Sequence, residues 1–251
     1  MPATTFIGKV IVELPSVNST NEYAHKLLES QTAFEGTIIR ADHQTEGKGY
    51  SGNKWESEGG KNLLLSLILK PGFLQVRQQF FLTQAISLAV AAAVAEISML
   101  GEVKIKWPND IFHSYKKVAG ILIENTVQGE IILHSVVGIG LNVNQTEFPR
   151  TIKPSTSLRM MTGKEFDLNN VLDILCEKIE FRYLQLRNNH VHEIQKDYMK
   201  NLYRMEEESV FIADGSRFNA QIAGLTPEGK LVLHVGDHHK VFGFKEVEMV
   251  I

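Results

Sequence analysis

Gln44-Thr45-Glu46-Gly47-Lys48-Gly49-Tyr50-Ser51-Gly52-Asn53-Lys54-Trp55 is the stretch that most narrows what this chain can become. Its three glycines fit the spacing G-x-G-x-x-G, a dinucleotide-binding fingerprint. That fingerprint works only where a helix opens directly after the loop and aims its N-terminus at a pyrophosphate. Here the loop runs into Glu56-Ser57-Glu58-Gly59-Gly60, and paired glycines oppose a helix. Context therefore excludes the dinucleotide fold. What survives is a loop that offers backbone N–H groups and one cation, Lys48, to an anionic ligand of another kind.

Composition limits the remaining classes. The 251 residues are 43% hydrophobic and 22% charged, enough for a sizeable core. A formal net charge of -3 gives no reason to expect nucleic acid or an anionic membrane as partner. The single cysteine, Cys176, excludes an internal disulfide and a cysteine-built zinc site. It sits among Leu172, Leu175 and Ile179 at helical spacing, as a core thiol would. Gly8, Lys9 and Glu13 interrupt every N-terminal apolar run, so no signal peptide is expected, and cytoplasmic localisation follows by default. The apolar stretch from Phe80 to Leu100 is broken by Thr83, Gln84, Ser87, Glu96 and Ser98, and reads as a buried helix.

Along the chain, Ser19-Thr20-Asn21-Glu22 has the form of a capping box and predicts a helix to about Ala33. Strands are expected from Gly36 to Ala41, Asn62 to Leu69, Val103 to Trp107, Val118 to Glu124 and Glu130 to Val143. Helices are expected from Gln78 to Leu100 and from Leu168 to about Arg204, the second broken near Asn188-Asn189. From Val210 onward, short apolar runs alternate with Asp214-Gly215, Pro227-Glu228-Gly229 and Gly236-Asp237, the texture of a small antiparallel barrel. The expected division is residues 1–205 and 206–251. The nine histidines are scattered, and no metal site is inferred from them.

The second informative stretch is Lys106-Trp107-Pro108-Asn109-Asp110, followed by Ile111 to Gly120. A hairpin whose tip lies between His113 and Ser114 would set Asp110 opposite Lys117. On spacing alone, this could be a cross-strand ion pair with Pro-Asn-Asp serving only as a turn.

Taken in order, Ser19-Thr20-Asn21, the glycine loop, Lys106-Trp107-Pro108-Asn109-Asp110, Lys117-Val118-Ala119-Gly120-Ile121-Leu122 and Gly138-Ile139-Gly140-Leu141-Asn142 resemble the biotin–protein ligases over almost the whole chain. The resemblance implies an α+β fold: a mixed sheet flanked by helices, like the class II aminoacyl-tRNA synthetase core, with a small SH3-like β-barrel at the C-terminus. It implies that biotin and ATP, with Mg²⁺, give biotinyl-5′-AMP, and that the biotinyl group then passes to one lysine of a biotin carboxyl carrier domain of a carboxylase. Lys117, Lys48 and Asp110 are the implied catalytic residues. Ser19, Thr20, Asn21, Gln44, Lys48, Gly49, Tyr50, Lys117 and Gly120 are implied for biotin, and Gly47, Lys48, Gly52, Trp55, Lys117 and Asn142 for ATP and the adenylate. The competing readings are a helix cap for Ser19 and a core position for Trp55, while Trp107 is expected to pack structurally.

The loop departs from the common Gly-Arg-Gly-Arg-x-Gly-Arg pattern, with Lys48, Tyr50 and Asn53 at the arginine positions. Lysine offers a point charge in place of a two-pronged donor, so looser phosphate positioning is expected. The 18 residues before Ser19 are too few for a DNA-binding domain, so the ligase-only type is expected. Mg²⁺ ligands are left open, as is the choice between a monomer and a homodimer paired through sheet edges. Two alternatives stand beside this reading: a lipoate-type ligase or acyltransferase of the same fold, and a non-catalytic biotin sensor.

Overall fold

The computed structural model describes residues 2–49, 52–149 and 154–251. Two sheets organise it. The first holds seven strands in the order β1-β2-β3-β7-β6-β5-β4, where β1 is Ile11–Val17, β2 Ile38–Gln44, β3 Leu63–Leu69, β4 Val103–Lys106, β5 Asp110–His113, β6 Lys116–Gln128 and β7 Ile131–Leu141. Only β1 and β2 run parallel; the other pairs are antiparallel. This is the expected mixed sheet of an α+β fold.

Strand β1 was not legible in the sequence. Its residues Ile-Val-Glu-Leu-Pro-Ser-Val include none that is fully buried, and Pro15 cannot donate to a ladder. Such a segment is tolerated only at a sheet edge, which is where β1 lies.

Helix α1, Thr20–Glu29, packs on β3 and β7, and Ala24 joins a small cluster with Ile39, Ile68 and Val136. Residues one position on, Leu67, Leu69 and Val137, belong to the main core on the opposite face, as the two-residue period of a strand requires. That face is covered by α2, Gln79–Ser98, which packs against α4, Leu168–Arg187, and α5, Val191–Lys200. A 3₁₀ turn, Val76–Gln78, leads into α2, and a short helix α3, Leu158–Thr162, also packs on it. The segment Val76–Ser98 is long and apolar enough to cross a membrane, but 67% of its most apolar window is buried inside the protein, as in a core helix. Cys176 is 1% exposed on α4, and burial pushes its thiol up to about 12.

The second sheet is antiparallel, in the order β11-β10-β9-β8-β12, with β8 Glu208–Ala213, β9 Ser216–Leu225, β10 Leu231–Val235, β11 His238–Phe242 and β12 Glu248–Met249. It is consistent with an SH3-like domain. Trp107 ties it to the first sheet: the indole stacks on Phe244 with centroids 5.3 Å apart and donates Nε1–H to the Gly229 carbonyl at 2.9 Å. The structural part expected of Trp107 is thus the one it plays.

Candidate active site

The two described arms of the expected loop are joined by backbone bonds. Gly49 N–H donates to the Asn53 carbonyl at 2.7 Å and Trp55 N–H to the Gly47 carbonyl at 2.9 Å. Gly47 is required there, because a Cβ would stand 2.5 Å from the Trp55 carbonyl oxygen. No helix opens between Trp55 and β3, in keeping with the rejection of a dinucleotide site. Tyr50, expected at the biotin site, lies outside the described residues.

Facing the loop, Ser19 opens α1 in extended backbone but makes no side-chain cap. The expected capping box is not formed, because a stronger partner takes its second member: Glu22 Oε1 lies 2.7 Å from Lys48 Nζ. The first N–H of the helix is instead held by a side chain from β2, with Thr20 N–H donating to Gln44 Oε1 at 2.8 Å and the Thr20 hydroxyl donating to the same oxygen at 3.1 Å. The Ser66 hydroxyl stands 2.7 Å from Thr20 Oγ1 and 2.5 Å from Asn21 Oδ1, while Asn21 Nδ2 donates to Glu124 at 2.6 Å. The start of α1 is thereby turned into an ordered polar wall.

The floor is built of glycine. Gly120 on β6 pairs with Gly140 on β7, and Leu122 pairs with Gly138. A Cβ on Gly140 would stand 2.3 Å from the Trp55 ring, one on Gly138 2.4 Å from Asn21 Oδ1, and one on Gly120 2.9 Å from Lys117 Nζ. Absent side chains on the strands therefore make room for side chains that reach in from elsewhere. Sequence reasoning places Gly138 and Gly140 in a motif without assigning them to the site. Their spacing of two on a strand, which puts both on one face, was the available signal.

The Asp110–Lys117 hairpin differs from the expected register. Asp110 pairs with Gly120, Ile111 with Ala119, and then Phe112 with Lys117, across a bulge that leaves Val118 unmatched. The turn is Ser114-Tyr115, with Ser114 at φ 55°, one position later than expected. Although not cross-strand partners, Lys117 Nζ and Asp110 Oδ1 are 2.6 Å apart. Both ends are clamped. Lys117 N–H donates to the Pro154 carbonyl, and Asn109 Nδ2 donates to the Ile121 carbonyl. The buried Tyr198 hydroxyl donates to the Pro108 carbonyl at 2.8 Å. The Trp107–Pro108 peptide is cis.

One pocket, ≈ 40 Å³, is lined by Ser19, Thr20, Asn21, Gln44, Lys48, Gly49, Trp55, Asp110, Lys117 and Gly120, with apolar walls from Leu65, Ile121, Leu122 and Ile139. Ten of the expected residues thus converge from five separate segments. Trp55 lies across the glycine floor with Lys117 Nζ 5.3 Å from its ring centroid. Three residues fall elsewhere. Gly47 and Gly52 line a neighbouring surface hollow with Lys48, and the Asn142 amide is directed to the Thr156 carbonyl at 3.0 Å outside the pocket wall. A second opening of ≈ 300 Å³ shares Gly49, Trp55, Asp110 and Lys117 with the pocket and runs between the loop, Lys106 and the C-terminal residues Lys245, Val247 and Met249.

The two cations are held differently. The hydrogen bond that Lys48 donates to Glu22, helped by the charges of Glu22, Glu124 and Glu46, keeps the Lys48 ammonium above the usual lysine range against the pull of burial. The same hydrogen bond and charge hold the Glu22 carboxyl below its usual range. Lys117 Nζ stands on Asp110, with side-chain exposures of 24% and 27%.

Known proteins resemble this chain along most of its length. The chain is 30% identical over 262 residues to the bifunctional ligase/repressor BirA of Bacillus subtilis, covering 98% of this chain and 76% of that one. It is 27% identical to the biotin–[acetyl-CoA-carboxylase] ligase of Paracoccus denitrificans, covering 88% and 92%. The biotin protein ligase of Aquifex aeolicus in complex with biotin and ATP superposes with a TM-score of 0.81 at 28% identity, covering 96% and 99%. The profile of the Biotin/lipoate A/B protein ligase family matches residues 13–142, the span that runs from β1 through the glycine loop and both lysines to Asn142, and the chain belongs to that family.

Proposed function

We infer that this chain is an ATP-dependent biotin–protein ligase: it joins biotin to ATP as biotinyl-5′-AMP with loss of pyrophosphate, then forms an amide with a lysine of a biotin carboxyl carrier domain. The observation that carries the reading is the convergence of Lys48, Lys117, the polar α1 wall and Trp55 on one glycine-floored pocket.

The first step brings a carboxylate oxygen against the α-phosphorus, forming a C–O–P link as the bond to pyrophosphate breaks. Two unit charges 4 Å apart repel by about 4 kcal/mol at an effective dielectric near ~20. Lys117 and Lys48 are placed to offset that repulsion as the transition state forms. Mg²⁺ bound to the nucleotide would supply further positive charge. Among the described residues no group of three or more His, Cys, Asp or Glu gathers, so a metal held mainly by phosphate oxygens suits this site better than a protein cage. Ser19, Thr20, Asn21 and Gln44 are suited to the ureido ring, Trp55 to the adenine face and Asn142 to its edge. Gly47 and Gly52 let the loop fold over the phosphates.

In the second step the acceptor amine attacks the acyl carbon and AMP departs with the electron pair of the broken bond. Asp110 is placed to orient that amine and take up its proton. The opening beside Lys106 and the C-terminal sheet gives the acceptor a path to Asp110. We read residues 1–205 as the ligand-binding domain and 206–251 as the small domain flanking this path. Cytoplasmic location and the absence of a nucleic-acid partner belong to the same proposal, which fits either a monomer or a homodimer paired through sheet edges.

The test is incubation with ATP, biotin and a purified carrier domain, read by intact mass. One biotinyl addition is expected. Transfer of lipoate but not biotin would select the lipoate-type reading, and tight biotin binding without transfer would select the sensor.

A further inference from the structure

Glu22 has no part in the scheme above, yet it holds one of its two cations. Glu22 Oε1 lies 2.7 Å from Lys48 Nζ, with side-chain exposures of 38% and 49%. Sequence pattern assigns this carboxylate to a capping box, but Ser19 makes no cap and the carboxylate turns to the loop. The nearby Glu124 is engaged otherwise: it accepts from Asn21 Nδ2 and stands 3.5 Å from His25 Nε2. Lys48 is therefore a charged ammonium at the rim of the pocket, already resting on a carboxylate.

The reaction changes the charge that this ammonium meets. The first substrate presents a carboxylate, and the finished product presents a neutral amide at the same carbon. We propose that Glu22 is a positioning residue for Lys48: it parks the ammonium at the rim of the pocket, yields it to the carboxylate of the incoming acid, and takes it back once that carboxylate has become an amide. The inference rests on the biotin-ligase reading for the identity of the acid. A strong internal pair would make such an exchange too costly. A half-exposed one competes only weakly, so the swap changes affinity by a few-fold and stays reversible. Three features make Glu22 suited to the task. It lies on the first turn of the helix that forms the pocket wall, it stands outside the pocket lining, and its carboxylate occupies no other part of the described site.

The experiment measures equilibrium binding of biotin and of biotinamide, its neutral carboxamide, without ATP, to the native protein, Glu22→Gln, Lys48→Gln and the double variant. Glu22→Gln is expected to tighten biotin roughly threefold to fivefold and to leave biotinamide unchanged. In the Lys48→Gln background the same substitution is expected to do nothing, since the exchange partner is gone. Glu22→Asp keeps the charge but shortens the reach, and is expected to tighten biotin less. If Glu22→Gln leaves biotin unchanged, weakens it, or shifts both ligands alike, the proposal is overturned; the last outcome marks a merely structural effect on α1. Intact-mass ligation by the native protein separates the two failures. Absence of ligation overturns the function and this inference together, whereas ligation with an unaltered acid-to-amide ratio in Glu22→Gln overturns the inference alone.

Discussion

Two lysines meet at one pocket from opposite kinds of structure. Lys117 stands on β6, paired with Phe112 of β5 on one side and held on the other by the Pro154 and Thr156 backbone, with its ammonium 2.6 Å from Asp110. Lys48 stands on a loop anchored to Val17 and Asn18 at its start and, among the described residues beyond Glu46, bonded through its backbone to other loop residues, and its ammonium rests on Glu22. Their side-chain exposures, 24% and 49%, follow from that difference. A cation on a clamped strand needs no rearrangement when charge develops, whereas one on a loop must be recruited each time. Under the proposed function this contrast is a division of labour, with a fixed field from the strand and, from the loop, a charge that can be withdrawn.

The largest effect expected from this contrast is at Lys117. Lys117→Gln should lower biotin-dependent ATP–pyrophosphate exchange by about 10²–10³-fold, with biotin affinity changed far less. Lys48→Gln should cost about tenfold in the same assay and raise the KM for biotin, because part of its contribution is binding. Equal losses in the two variants would break the contrast. The loop's role sharpens it further: amide exchange across residues 45–55 should slow when biotin and ATP are present, while β6 changes little. An unaltered loop would mean that it does not close.

A smaller effect is expected at the floor. Gly140→Ala sets a methyl 2.3 Å from the Trp55 ring, so the indole must move. The KM for ATP should rise severalfold, with a change in tryptophan fluorescence and a stability loss of about 1–3 kcal/mol.

The smallest effect on activity, none, is expected at Glu180, remote from both lysines. Its carboxylate accepts backbone N–H groups from Thr5, Phe6 and Ile7 at 2.5, 2.9 and 3.0 Å, tying the N-terminal segment to α4. Burial pushes this carboxyl up, but the N–H donors of Phe6, Ile7 and Thr5 outweigh it, and the group lies below its usual range. A depressed carboxyl contributes stability that is present above its unfolded value, near ~4.3, and is lost as pH falls through the folded value. Glu180→Gln should therefore cost about 1–2 kcal/mol at neutral pH and flatten the acid limb of a Tm-against-pH curve, with ligation unchanged.

Much of the molecule was legible before folding was considered. The helices α2, α4 and α5 and the strands β3, β6 and β7 declare themselves by period and by the glycines and prolines that end them. The resemblance pointed at residues that the pocket does bring together. Two local readings gave way. Glu22 left its capping box for Lys48, because a charged partner at hydrogen-bonding distance outweighs a neutral cap. The turn after Asp110 falls one residue later than expected, and the bulge at Val118 adds a further step, so Asp110 meets Gly120 in place of Lys117; neither change alters the pattern of apolar and polar positions along either strand.

The chain alone determined that the loop of residues 44–55 could not precede a helix, that Asp110 and Lys117 would lie near one another, and that the texture changes after residue 205. Those outcomes depend on glycine, proline and short-range spacing, which act over a few residues. Tertiary structure alone decided that Gly120, Gly138 and Gly140 would form one floor, that Trp55 would lie across it, that Gln44 would hold the start of α1, and that Glu22 would take Lys48. Each of these joins groups distant in sequence, and their contacts depend on the order and register of strands, to which a local pattern is blind.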